Sequence, residues 1–381
     1  MKICLVNLGA LPALSEAHKH LRVGGEEVQH AQLAAALARR GHRVSLVVAD
    51  VGQEDGAEFE GVKTLKAFDQ NAGLPVLRFA HPRWTKLWSA IARADADVYY
   101  FSCAGMALGL LALYCRRHGK RLVFRAASDS DCEPDKLLIR YARDRWLYEF
   151  GLKRADAVLV QTATQQRTML ANYGRQSTVA GMLVARPAMN ARDRAKDVDV
   201  LWVSNIRQVK RPDRILELAR SLPAVRFHMA GGVSPGDDEL YRKIENGARG
   251  IENLTFHGGI PYLDIGALFD RAKVFANTSD LEGFPNTFLQ AWVRGVPVVT
   301  MFDPDGVVAR CGLGSYHATA PDMTRGLSVM LSEAGTYETA SRAALAFAEK
   351  HYGEDEVLGP YLRALTGLDD SAERPARALP A

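Results

Sequence analysis

The sequence predicts an α/β chain built as two doubly wound domains. Three observations lead there. At 381 residues, 48% hydrophobic and 24% charged, the chain is globular in composition and too long for one ordinary core. Short apolar β-rich runs alternate with helical segments along the chain. The alternation halts near residue 190 and then restarts, giving two successive βα series.

The first strand is KICLVNL. It lacks a basic n-region of any length and a cleavage site, so it reads as a strand and not a signal peptide. RVSLVV, DVYYFS, RLVFRAA and AVLVQT follow, with EEVQHAQLAAALARR and MALGLLALYCRRHG among the helical stretches between them. The strands are continuous apolar runs, as expected of a parallel sheet covered on both faces. The seam is expected at residues 184–197, VARPAMNARDRAKD, which is polar and contains Pro187. VDVLWVSN opens the second series, followed by VRFHMAGG, NLTFHGG, AKVFANTS and VPVVTMF. HYGEDEVLGPYLRAL reads as a helix, and GLDDSAERPARALPA has no apolar pattern and is expected to be disordered. The expected divisions are 1–185, 186–352, a terminal helix at 353–367 and a tail at 368–381.

Five scattered cysteines without CxxC spacing fit a reducing cytoplasm better than a disulfide scaffold. No apolar run approaches the roughly 20 residues that a membrane-spanning helix needs. The charge is uneven: residues 1–190 hold 26 Lys and Arg against 18 Asp and Glu, and the rest holds 22 against 26. The basic excess therefore lies in the first half, either as a solvated surface or as a face for an anionic partner.

In open α/β sheets ligands bind beyond the carboxyl ends of the strands. Gly24 and Gly25 precede a helix whose first amides can hold a phosphate, although a tight turn explains a glycine pair equally well. No acid follows the second strand at dinucleotide spacing, which disfavours hydride transfer. Arg207 and Lys210 follow the first strand of the second series, and Arg211 and Pro212 open a helix. Cations at a helix start oppose its dipole, so an anionic ligand such as a diphosphate would relieve the conflict. Gly231 follows the next strand. Glu282 lies in the loop after AKVFANTS, ahead of Gly283, Phe284, Pro285, Asn286 and Thr287. The helix there is expected from about Asn286 to Arg294, with Pro285 in its first turn and Gln290 inside it; a solvated surface residue is the plain alternative for Gln290.

The stretches GGEEVQHAQLAAALARRGHRVSLVV, IRQVKRP and TSDLEGFPNTFLQAWVRGVPVV resemble the retaining nucleotide-sugar glycosyltransferases of family 4. The resemblance covers nearly the whole chain in motif order and spacing. It implies the GT-B fold, two Rossmann-like domains facing across a cleft, with the terminal helix crossing back to the first. In this family two acids lie eight residues apart, the first on the donor sugar and the second on the nucleotide ribose. Glu282 matches the first, and Gln290 stands where the second acid is expected. Arg207 and Lys210 match the diphosphate cations, and Gly24 with Gly25 the capping loop. Gly231 and residues 283–287 fall within the implied donor site. Where many relatives have a histidine facing the sugar, this chain has Ser128 and Asp129, which are expected near the sugar or acceptor. Asp129 and Asp131 form a D-x-D, but the motif recurs at 95–97, 197–199 and 303–305, so chance accounts for it and no metal site is expected.

The implied reaction moves a hexose from a UDP- or GDP-linked donor to a glycan or lipid-linked glycan, with retention and without a cofactor beyond the donor itself. Transfer to a small soluble metabolite, or sugar-nucleotide binding without transfer, are the alternatives. Arg140, Arg143, Arg145, Lys153 and Arg154 run with Trp146 and Tyr148, and Arg83 and Lys86 lie beside Trp84 and Trp88. A cytoplasmic protein is expected; basic and aromatic residues on one helix suit the anionic inner face of a membrane, to which it would be peripheral, and equally an ordinary solvated amphipathic helix. No nucleic-acid partner is expected.

Overall fold

The computed structural model describes residues 1–74, 77–187 and 195–368. Most of the expected tail, and part of the expected seam, lie outside the described residues. The chain divides into two compact units. The first comprises Met1–Lys19, Val23–Leu183 and the chain from Glu354; the second comprises His20–Arg22 and Val184–Gly353.

The first unit is laid out as β1 (Lys2–Val6), α1 (Gly25–Arg39), β2 (Arg43–Val48), β3 (Glu58–Phe59), β4 (Val62–Lys66), α2 (Thr85–Ala94), β5 (Val98–Ser102), α3 (Met106–His118), β6 (Arg121–Arg125), α4 (Ala142–Arg154), β7 (Ala157–Val160), α5 (Ala163–Tyr173) and β8 (Thr178–Val179). Its sheet runs β3-β4-β2-β1-β5-β6-β7-β8, and among the described residues only the β3–β4 pair is antiparallel. The order reverses direction at β1, so β1 and β5 flank the switch point at which such sheets take their ligands. Cys4, Val6, Tyr99, Phe124 and Tyr148 are buried in one core against α2, α3 and α4. Gly109 and Gly151 let α3 and α4 touch: a Cβ on Gly151 would lie 2.6 Å from the Leu108 carbonyl carbon.

The second unit is laid out as β9 (Val198–Val203), α6 (Pro212–Ser221), β10 (Phe227–Ala230), α7 (Asp238–Arg249), β11 (Leu254–Phe256), α8 (Tyr262–Arg271), β12 (Ala272–Asn277), α9 (Asn286–Trp292), β13 (Val298–Thr300), α10 (Val307–Arg310), β14 (Gly314–Tyr316), α11 (Ala320–Ser332) and α12 (Ala334–His351). Its strands are parallel in the order β11-β10-β9-β12-β13-β14, with the switch point between β9 and β12. The last helix, α13 (Glu354–Thr366), packs in the first unit, where Tyr361 donates to Gly181 O at 2.8 Å and Arg121 Nε donates to Ala364 O at 2.7 Å. No described helix is long and apolar enough to cross a membrane.

Candidate functional site

In the second unit, the loops after β9 and β12 meet at the switch point. Thr278, fully buried, ties them together: its hydroxyl reaches Lys210 O at 2.9 Å and Arg211 O at 3.0 Å, and accepts from Trp202 Nε1 at 2.9 Å. Asp280 N donates to Val209 O at 2.9 Å. This frame places Lys210 Nζ in direct charged contact with Glu282 Oε2. Ser279 Oγ donates to the other carboxylate oxygen, Oε1, at 2.8 Å. Glu282 and Lys210 keep 13% and 17% of their side-chain surface exposed, so both can reach a ligand while held in place.

Arg207 stands at the start of a short 3-10 turn, Gln208–Lys210, and is exposed. Among the described residues it has no ion-pair partner, so its guanidinium is available to an anion. The dipole conflict expected at the start of α6 is met within the protein. Arg211, in the left-handed conformation (φ 48°), is paired with Asp213 at 2.7 Å and Asp280 at 3.3 Å. Arg214 also bonds Asp280, at 2.6 Å. Contrary to expectation, no ligand is needed to relieve that helix start, because Asp213 and Asp280 neutralise its cations.

The segment after Glu282 separates into two kinds of position. Gly283, Phe284 and Pro285 are buried. The Phe284 ring packs edge-on against Trp292 at 6.1 Å and lies 6.1 Å from Tyr352, so any donor contact from Phe284 would have to come from its backbone. Pro285 is the N-cap, α9 starts at Asn286 as expected, and it ends at Trp292, two residues short of expectation. With seven residues its dipole is small, and what it offers an anion is the separate amides of Asn286 and Thr287. Gln290 is half-buried on α9, its carbonyl accepts from Arg294 Nη1 at 3.0 Å, and its side-chain amide has no hydrogen bond among the described residues.

Gly231 has a packing reason to be glycine. A Cβ there would fall 2.1 Å from Ser204 O, a backbone atom that cannot swing away, while its own N–H donates to Gly258 O at 2.8 Å. Gly24 differs. The nearest atoms to a Cβ there belong to the Glu27 carboxylate, at 2.5 Å, and that side chain can rotate. Gly24 is the N-cap of α1 and Gly25 its exposed first residue.

Ser128 and Asp129 follow β6. Ser128 caps the 3-10 turn Asp129–Cys132 in a reciprocal box with Asp131. Asp129 Oδ1 accepts from Gln165 Nε2 at 2.9 Å. The two acids of the D-x-D therefore do different work. Asp131 is buried and takes the Ala127 amide at 2.8 Å and the Ser128 amide at 3.3 Å. Burial pushes its pKa up to about 6 against the pull of those amides. Thr278, Ser279 and Asp280, outside the residues expected from sequence, form part of the site frame. Their signal was the polar triplet closing an apolar strand.

Residues 23–180 match the family model described as Glycosyltransferase Family 4, and residues 189–308 match that described as Glycosyl transferases group 1. A D-inositol 3-phosphate glycosyltransferase of Mycobacterium tuberculosis is 30% identical over 163 residues, 38% of this chain and 34% of that protein. The match thus spans about a third of the length of these curated relatives. Among solved structures, sucrose-phosphate synthase from Thermosynechococcus elongatus superposes with a TM-score of 0.76 at 18% identity, covering 96% of this chain and 99% of that one. Anabaena HepE, solved with UDP and glucose, gives 0.74 at 16% identity, covering 97% and 100%. WaaG, a glycosyltransferase involved in lipopolysaccharide biosynthesis, gives 0.69 at 15% identity, covering 96% and 100%. At these identities the structural matches establish the fold, which is that of the GT-B glycosyltransferases.

Proposed function

This chain belongs to the glycosyltransferases with a family 4 first domain and a group 1 second domain, and from that membership we propose that it is a retaining hexosyltransferase using a nucleoside-diphosphate sugar. The observation that carries the reading is the contact between Lys210 and Glu282 at the switch point of the second sheet, with exposed Arg207 beside it in sequence.

The donor's anomeric C–O bond breaks with its electron pair passing to the diphosphate. Charge develops on that leaving oxygen, and Arg207, Lys210 and the amides of Asn286 and Thr287 stabilise it, with no metal required. Glu282 holds the sugar's hydroxyls. The acceptor oxygen bonds to the same face of the anomeric carbon and gives its proton to the departing phosphate, which retains the configuration. Gln290 meets the ribose with one acceptor oxygen and two donor hydrogens, without adding negative charge. Gly24 and Gly25 open α1, and the first turn of that helix suits an anionic group. Gly231 acts by close backbone packing, and Ser128 and Asp129 lie at the sugar or acceptor.

The acceptor is a glycan or lipid-linked glycan, in cell-surface polysaccharide biosynthesis. Support for a lipid interface comes from the first unit. Trp146 is 61% exposed and stacks on Phe150 at 5.3 Å, over which Arg154 sits at 3.7 Å. Leu138 and Tyr141 are exposed nearby in sequence, and Arg143 lies 3.4 Å over Phe79. This combination of exposed aromatic and cationic side chains suits the inner, anionic face of a membrane reached from the cytoplasm. Transfer to a small soluble acceptor is the second reading, favoured by the D-inositol 3-phosphate relative. UDP-linked donors come first for testing, because HepE was solved with UDP. A thermal-shift panel of UDP- and GDP-hexoses tests the donor, since a ligand of the folded state raises the melting temperature. No shift with any of them would sink the proposal. Co-sedimentation with anionic and neutral vesicles tests the membrane face, and equal binding to both would remove it.

A further inference from the structure

The first turn of α1 is anchored by charge from the sheet below it. Glu26, next to Gly25, turns its carboxylate inward. One oxygen accepts from Ser102 Oγ at the end of β5. The other accepts from Arg125 Nη1 at the end of β6, at 3.3 Å. His30 Nδ1, a turn further along α1, lies 3.3 Å from the first oxygen. Burial works to raise the pKa of Glu26, but Arg125, His30 and Ser102 outweigh it and hold the group ionised.

Arg125 has no exposed surface. Nη1 meets Glu26, and the buried Tyr100 and Tyr361 also act on the guanidinium, but among the described residues Nε and Nη2 have no hydrogen bond of good geometry. The Tyr361 ring of α13 lies 6.0 Å from the guanidinium. A buried cation whose donors are incompletely met is a poor stabiliser, and apolar side chains of similar volume serve a core as well or better. The arrangement gives up stability for a fixed geometry. What it fixes is the start of α1 against the carboxyl ends of β5 and β6, where a doubly wound sheet takes its ligands.

We infer that Arg125 is a positioning residue: through Glu26 it holds the first turn of α1, and with it the amides of Gly25 and Glu26, in the geometry that the transfer reaction needs. The inference rests on the transferase reading. Arg125 has no exposed surface with which to reach a substrate, and the Tyr361 ring packs beside it.

The test compares the full-length chain with Arg125→Met/Glu26→Met, Arg125→Lys and wild type. Four quantities are read: melting temperature, calorimetric affinity for UDP and for GDP, kcat and KM for the donor, and hydrogen exchange at the Val28 amide, which donates to Gly24 O at 3.1 Å. The apolar pair is expected to melt at or above the wild-type temperature. Its nucleotide affinity stays near wild type, its kcat falls about 100-fold, as small misplacements of a site do, and Val28 exchanges faster. Arg125→Lys, which keeps one charge facing Glu26, recovers part of that kcat. A folded apolar pair with kcat within about threefold of wild type would overturn the inference, because the ion pair would then be structural only. If wild type cleaves no nucleotide sugar, the transferase reading fails by itself. Val28 exchange then decides the positioning claim: faster exchange in the apolar pair supports it, and unchanged exchange overturns it.

Discussion

Replacing Glu282 by Gln separates the charge of this position from its shape. The ionised carboxylate has about four acceptor sites. Two are engaged, one by Lys210 and one by Ser279 Oγ at 2.8 Å. About two remain for sugar hydroxyls. A hydrogen bond to a charged group is worth about 1–1.5 kcal/mol more than a neutral one, so two such bonds strengthened in the transition state amount to about 2–3 kcal/mol. At about 1.4 kcal/mol per decade, kcat/KM should fall roughly 30- to 150-fold. The fold should suffer little. Lys210 and Glu282 both retain exposed surface, so the orphaned ammonium reaches water and the loss of stability stays near about 1 kcal/mol. The assay is steady-state release of nucleoside diphosphate with the donor varied, beside a denaturation curve. Gln290→Glu is the control. Its side-chain amide has no hydrogen bond among the described residues, so the change should move donor KM by less than about tenfold and leave kcat nearly intact. Glu282→Gln within about threefold of wild type, or equal damage from both substitutions, would refute this division of roles.

Thr278→Val keeps the volume but removes the hydroxyl joining the β9 and β12 loops and leaves Trp202 Nε1 without an acceptor. The expected cost is about 1–3 kcal/mol in denaturant unfolding, with a loss of kcat/KM beyond what unfolding explains. Gly231→Ala drives a methyl to 2.1 Å from Ser204 O, so the second unit should melt at lower temperature, and an unchanged melting temperature would contradict the packing account. His228 and His257, hydrogen-bonded at 2.9 Å, both have lowered pKa values, first through burial and then through nearby charge, Arg271 included. The unfolded chain takes up protons near pH 6.5 that the folded pair resists, so stability is lost as pH falls through that range. Denaturation curves from pH 8 to 5.5 should show this slope, and His228→Asn/His257→Asn should flatten it.

The fold was legible in the sequence because its central strands are buried on both faces. KICLV, VYYFS and VDVLWV carry uninterrupted apolar runs, and they are β1, β5 and β9. The strand β4 was missed, since VKTLK alternates polar and apolar residues with Lys63 exposed near the sheet edge. The short β8 and β14, of two and three residues, leave no periodicity to read. At the site, the spacing of Arg207, Lys210 and Glu282 was readable, because motif order follows strand order. What the spacing could not carry was pairing. That Arg211 is relieved by Asp280 as well as by its neighbour Asp213, or that Phe284 turns into the core against Tyr352 as well as Trp292, depends on contacts between segments about 70 residues apart. Arg125 had a signal of its own, a cation set between the apolar segments LVF and AA, but only the fold shows that Glu26 meets it.

The most direct test of the transferase account is product analysis with an α-linked UDP- or GDP-hexose and a glycan acceptor. The account predicts nucleoside diphosphate release coupled to a new α-linkage by proton NMR, lost in Glu282→Gln. A β-linked product, or no release from any nucleotide sugar by the folded wild-type chain, would contradict it.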